Sequence, residues 1–229
     1  MKKCDCTSID NSQAQTRRTQ AKIQPECALE LLKSGNDRFV KKMTLRRDLK
    51  LQAEITSSGQ FPFAVVLSCL DSRVPTELIF DQGIGDVFNA RIAGNFVNDD
   101  ILGSIEFAYT SGVSLVLVLG HTQCGAIDAA IHNSENGPDN CEPCKHIIPM
   151  VKNLYPAVKR TNRLKDEEDN EYHNRVVRKN VELNIEKIRK KSDCLRLADK
   201  KTEILIIGGV YNIASGVVSF FEHPKSQVY

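Results

Sequence analysis

Two short segments, Cys69-Leu70-Asp71-Ser72-Arg73 and Gly120-His121-Thr122-Gln123-Cys124-Gly125, gather the residue types best suited to hold a metal ion and use it. Two thiolates and an imidazole have strong affinity for zinc. His121 and Cys124, three residues apart in a turn, can reach one ion while Cys69 closes from a neighbouring strand. Three protein ligands leave the fourth tetrahedral position for water, the arrangement of a catalytic rather than a structural zinc. Zinc with two thiolates is formally neutral, so it acidifies its water less than zinc held by three neutral histidines. Asp71 and Arg73 answer that deficit. Asp71 can accept the water's hydrogen bond and orient the hydroxide, while Arg73 keeps the carboxylate ionised and aimed through a bidentate pair. Asp71 has a second option, swinging onto zinc and closing the site. Alone, Cys69 reads as a buried inert thiol and Asp-x-Arg as a surface ion pair worth little; the five residues together change that reading.

Such a constellation needs strands that end at one edge. Phe63–Ser68, Val87–Ile92, Leu115–Gly120 and Ile204–Gly209 are short, continuous apolar runs, the pattern of strands covered on both faces in a parallel sheet. Helical patterns lie among them: Pro25 onward with Ala28, Leu31, Leu32, Phe39 and Met43 and a break at Gly35; Asp99–Tyr109 with an Asn98 or Asp99 cap; Cys124–His132; Ile147–Lys159; and Glu171–Lys191 with Val177, Val181, Ile185 and Ile188 inward. Strands alternating with helices predict one α/β domain, a mainly parallel sheet flanked by helices, with Val217–Glu222 as an antiparallel edge strand near the C-terminus. Both chemical segments then fall at carboxyl ends of strands, the edge where open α/β sheets place their sites. Ser134–Lys145 and Thr161–Glu171 read as loops.

The 229 residues are 41% hydrophobic and 26% charged, and 31 basic against 29 acidic side chains leave a formal charge of +2. One domain over 25–229, preceded by a flexible arm over 1–24, fits this length. The balance argues against a nucleic-acid binder that works by neutralising phosphates. The longest apolar stretch, Leu115–Leu119 with its flanks, is far below the roughly 20 residues of a membrane span. The start has basic residues but no apolar core of a signal peptide; a leader already removed would leave no trace. Eight cysteines are too sparse for a disulfide scaffold and in a reducing, cytoplasmic setting point to metal binding or catalysis.

CLDSRVP (69–75) followed by GHTQCGA (120–126) resembles the paired signatures of the β-class carbonic anhydrases. The similarity continues through DVFNARIAGN (86–95), ILGSIEFA (101–108), NVELNIEKI (180–188) and GGVYNIASGVVSFFE (208–222), so it covers about residues 25 to 222. It implies one zinc per chain on Cys69, His121 and Cys124, with Asp71 as a further ligand in a closed state only, and Asp71 with Arg73 as the catalytic dyad. The implied reaction is reversible hydration of carbon dioxide to bicarbonate and a proton by attack of zinc-bound hydroxide. Gln60, Phe88 and Phe107, with backbone amides near Gly94 and Gly125, fall on the family's substrate pocket. Phe107 stands where a tyrosine is often found, which removes a hydroxyl from that wall. A non-catalytic bicarbonate site of one subgroup uses a tryptophan where this chain has Val66, so no site of that composition is expected. The resemblance also implies a homodimer or tetramer with pocket residues from both chains.

Other readings remain beside these. Gln60 reads equally as a solvated loop residue, and Phe88 and Phe107 as packing residues. The same zinc site could hydrolyse carbon disulfide or carbonyl sulfide, and the scaffold could serve as a non-catalytic zinc or redox protein. Cys141-Glu142-Pro143-Cys144 reads as free thiols in a loop or an occasional disulfide rather than a second zinc site, which needs two further ligands such as His146 with Cys4 or Cys6. Gly83-Ile84-Gly85 reads as a turn, and His132, His173 and His223 as surface residues without partners at ligand spacing.

Overall fold

The computed structural model describes residues 9–137 and 144–221. In chain order the elements are α1 (Arg17–Gln20), α2 (Pro25–Val40), α3 (Leu49–Thr56), β1 (Ala64–Ser68), α4 (Thr76–Ile79), β2 (Val87–Arg91), α5 (Asp99–Thr110), β3 (Leu115–His121), α6 (Gly125–Asn136), α7 (Ile147–Val151), α8 (Tyr155–Lys159), α9 (Asp169–Lys191), α10 (Asp193–Lys200), β4 (Leu205–Tyr211) and β5 (Val218–Phe220). Every residue of β1 and β3 is buried, as continuous apolar runs require when helices cover both faces. The sheet order is β2-β1-β3-β4-β5; the first four strands are parallel and β5 pairs antiparallel with β4. From β1 the chain moves out to β2 and then returns to place β3 on the other side of β1. That reversal makes the gap beyond β1 and β3 the switch point of the sheet, a crevice open at their carboxyl ends.

On one face α2 contributes Ala28, Leu31 and Leu32 to a core with Phe63, Ile79, Phe80 and Leu117; on the other, α5 and α9 supply Leu102, Ile105, Val181, Ile185 and Ile188. Gly35 does not break α2, contrary to the expectation from sequence. A Cβ there would sit 1.8 Å from the carbonyl oxygen of Phe80, so the glycine lets the helix lie directly on the chain after α4. The next residue, Asn36, is buried and donates to the carbonyls of Ile79 and Gly216 while accepting from Val218 N, tying α2 to the edge strand. Asn98 is the cap of α5, its side chain accepting from Ile101 N.

Several boundaries differ from expectation for identifiable reasons. The stretch 147–159 is two short helices, α7 and α8, because Pro156 lacks the N–H a continuous helix would use, and α8 restarts with that proline in its first turn. α6 runs on to Asn136, shortening the following loop. Residues 9–24, expected as part of a flexible arm, lie against the domain: Ile23 is buried, and Gln20 Nε2 donates to the carbonyls of Pro62 (2.7 Å) and Ser111 (3.0 Å). Cys4, Cys6, Cys141 and His223 lie outside the described residues. Among the described residues no helix is long and apolar enough to cross a membrane.

Candidate metal centre

Cys69 follows β1, His121 ends β3 and Cys124 is the residue before α6, so the switch point brings all three to one place. Their ligand atoms lie within 4.8 Å of one another and all three residues are buried. His121 Nδ1 lies 2.9 Å from the carbonyl oxygen of Thr122. A carbonyl only accepts, so Nδ1 carries the proton and Nε2 presents its lone pair. That Nε2 is buried without a hydrogen-bond partner, a costly arrangement for a polar atom and the one a metal resolves.

Electrostatics points the same way. The Cys69 thiol is held well below the ordinary thiol range, chiefly by the Cys124 thiol beside it, against burial and with help from His121 and the N–H groups of Gly94 and Asp71. Cys124 is pushed up by that neighbouring sulfur and by burial. The pair accepts one negative charge readily and resists the second. A divalent cation between the sulfurs removes that resistance, which is what a two-thiolate, one-imidazole donor set fits.

Asp71 and Arg73 form the predicted bidentate pair. Arg73 Nε donates to Oδ1 at 2.9 Å and Nη2 to Oδ2 at 2.8 Å, while the Arg73 N–H also donates to Oδ1 at 2.9 Å. These bonds, the Arg73 side chain first, hold the Asp71 carboxyl down at about 2 although burial opposes them. Arg73 is anchored in turn to the carbonyl of Gln123, next to Cys124. The Asp71 carboxylate stands 4.0 Å from His121 Nε2, so it faces the atom the donor set leaves open.

Of the remaining sequence-predicted residues, Gly94 reaches the centre: its N–H donates to Cys69 Sγ at 3.3 Å. Gly125 is exposed in the first turn of α6 with open space at its Cα. Phe88 and Phe107 meet each other, ring centroids 6.3 Å apart, around a cavity of about 850 Å³ whose lining includes none of Cys69, His121 and Cys124. Gln60 is exposed between α3 and β1. Within one chain these three stand apart from the metal cluster.

Two residues carry more than sequence reasoning assigned them. Arg91, at the end of β2, donates to the carbonyls of Cys69 (3.1 Å) and Asp71 (2.6 Å) and so fixes the loop that bears both. His173, read from sequence as a surface residue, is 5% exposed, and its Nε2 lies 3.3 Å from both the Cys124 carbonyl and Asp128 Oδ1. Its position was legible: 173, 177, 181, 185 and 188 form one helical stripe, and the last four were already placed inward.

A family model described as carbonic anhydrase matches residues 64–218. Carbonic anhydrase 2 of Mycobacterium tuberculosis is 40% identical over 136 residues, covering 58% of this chain and 64% of that protein. The chain therefore spans under two thirds of that relative's length. Among solved structures, a β-carbonic anhydrase of Aspergillus fumigatus aligns with a TM-score of 0.66 at 24% identity, covering 87% of this chain and 92% of that one. One from a report of two tetrameric β-carbonic anhydrases of Sordaria macrospora aligns with a TM-score of 0.61 at 22% identity, covering 74% and 85%. At these identities the structural likeness is one of fold.

Proposed function

The chain belongs to the β-class carbonic anhydrase family, and from that premise we propose that it hydrates carbon dioxide reversibly to bicarbonate at one zinc held by Cys69, His121 and Cys124. The observation that carries this reading is the Asp71 carboxylate, paired bidentately with Arg73 and facing the unpartnered Nε2 of His121. A purely structural four-ligand site has no use for such a pair. When bound, zinc supplies the Lewis acidity that makes a nucleophile of water near neutral pH.

The chain's own residues do the rest. Asp71, ionised down to about pH 2, accepts a hydrogen bond from the attacking water and turns its lone pair toward the carbon of the substrate. Arg73 prevents that carboxylate from taking the proton itself. The Gly94 N–H withdraws charge from the Cys69 sulfur, and Arg91 keeps the Cys69–Asp71 loop from moving as charge shifts. In a closed state Asp71 would join Cys69, His121 and Cys124 as a further residue holding the zinc.

The pocket is completed by a second copy of the chain. Phe107 is 65% exposed and, with the half-buried Phe88, lines an open, largely apolar cavity away from its own metal cluster. A homodimer, or a tetramer built from it, covers that surface and carries Gln60 and Phe107 toward the neighbouring site. Stopped-flow carbon dioxide hydration on zinc-quantified Asp71→Asn protein tests the dyad. The rate should fall by at least ~10-fold, the lower end of losses when a residue beside a metal site is changed, and an unchanged rate at every pH would remove Asp71 from the mechanism.

A further inference from the structure

Asn180 and Asn184 lie one helical turn apart on α9, both buried, in a position where packing alone would favour aliphatic side chains. Burying two carboxamides is costly unless their polar groups are engaged, so where those groups go is informative. Asn180 Nδ2 donates to the carbonyl oxygen of Gly94 at 2.9 Å. Asn184 Nδ2 donates to the Asn180 carbonyl at 2.8 Å and to Asn180 Oδ1 at 3.0 Å, while Asn184 Oδ1 accepts from Val97 N at 2.7 Å. The two side chains clamp the turn after β2 at residues 94 and 97.

Gly94 has φ +77°, and a Cβ on it would sit 2.7 Å from Leu154, the residue that precedes α8. The turn therefore presses a bare backbone against the Leu154 side chain at the start of α8, with Asn95 N donating to the Ile92 carbonyl at 2.9 Å to close it. Held this way, the Gly94 N–H aims at Cys69 Sγ at 3.3 Å. A peptide on an irregular segment has no ladder to keep that aim; the clamp from α9 supplies it.

We infer that Asn180 is a positioning residue for the metal centre: it fixes Gly94 so that the Gly94 N–H stays bonded to the Cys69 sulfur, and Asn184 locks Asn180 in the conformation that does so. The inference rests on Cys69 being a metal ligand. Groups that hold ligands in place from outside a site commonly alter metal affinity 10- to 100-fold, and a residue acting through one intervening residue, Gly94, whose C=O it holds and whose N–H meets the sulfur, belongs at the lower end, about 10-fold.

The test measures the metal rather than turnover. In wild-type protein loaded with the NMR-active cadmium isotope, the Gly94 amide proton should show scalar coupling to the metal through the sulfur. Asn180→Asp keeps the shape but removes the donor, and Asn180→Leu removes the carboxamide. Each should abolish that coupling, weaken zinc about 10-fold by chelator competition, and shift the sulfur-to-metal charge-transfer band of the cobalt-substituted protein. Ile188→Val, on the same helix but away from the turn, provides a variant of lowered thermal stability that should leave all three readouts unchanged.

Wild-type protein that binds no metal would overturn the metal-centre reading and the inference together. Metal-loaded wild type without coupling to Gly94, Asn180 variants with unchanged affinity and spectrum, or equal losses in Ile188→Val would overturn the inference alone. If Asn180→Leu does not fold, the wild-type coupling and Asn180→Asp decide.

Discussion

Replacing Asp86 with Asn is a perturbation whose magnitude the structure supplies. Asp86 stands just before β2, at the edge of the sheet opposite the metal cluster, and is fully buried. Its Oδ2 accepts from Gly83 N at 2.7 Å, while Oδ1 has no partner. Burial lifts its pKa from 3.8 to about 6, against the pull of the Gly83 N–H, the charge of Arg47 and the nearby Gln15. In the unfolded chain the group ionises near its ordinary value. Between about pH 4 and pH 6 the native state therefore holds a proton the unfolded state has lost, and stability falls as pH rises through that window. Above it, the native protein carries a buried carboxylate, a cost of about 3 kcal/mol at ~1.4 kcal/mol per tenfold change in proton affinity. Asparagine never ionises, but its amino group, left without an acceptor, costs about 1 kcal/mol. The variant should be about 2 kcal/mol more stable than wild type at pH 7 and no more stable at pH 4. Urea unfolding of both proteins at matched zinc content, from pH 4 to pH 8, measures the difference directly. A difference independent of pH, or one that grows toward acid, would refute the argument.

Other expectations bear on the site and its assembly. Cys124→Ser should lose its zinc on dialysis, because a hydroxyl substitutes poorly for a thiolate on this metal; stoichiometric zinc retained in single variants of Cys69, His121 and Cys124 alike would break the ligand assignment. Phe107→Glu places a charge on the apolar surface proposed to meet a second copy, so by sedimentation it should dissociate the dimer at least ~100-fold more readily, about 3 kcal/mol for an uncompensated charge at a buried surface. A wild-type chain that sediments as a fully active monomer at micromolar concentration would exclude the shared pocket.

The parts of this fold visible in sequence are those whose signal is local. β1 and β3 are buried on both faces, so their apolar runs are unbroken, and the inward stripe of α9 is long enough to show its period. α3, α4 and α10 are four to eight residues long, too short for a period to stand out. Gly35 carries two opposite meanings, a helix break or a close helix contact, and only the position of Phe80 decides between them. The cluster of Cys69, His121 and Cys124 was legible because two cysteines and a histidine at the ends of neighbouring strands, with Asp71 and Arg73 beside them, have few uses in common other than holding a metal. The contacts of Arg91, His173 and Asn180 were not, although the inward position of His173 was, since each reaches the backbone of a residue distant in sequence: Cys69, Cys124 and Gly94. Gln60, Phe88 and Phe107 show the remaining limit: within one chain they stand apart from the metal cluster, and the pocket proposed to be shared with a second copy would leave no trace in a single sequence.

The central claim is that hydration chemistry belongs to one zinc on Cys69, His121 and Cys124. Its most direct test is to strip the protein of metal and titrate zinc back while following carbon dioxide hydration by stopped flow. Activity should be absent at the start, rise in proportion to zinc and level off at one equivalent per chain. Hydration that persists without metal, or that stays absent when the site is full, would contradict the account.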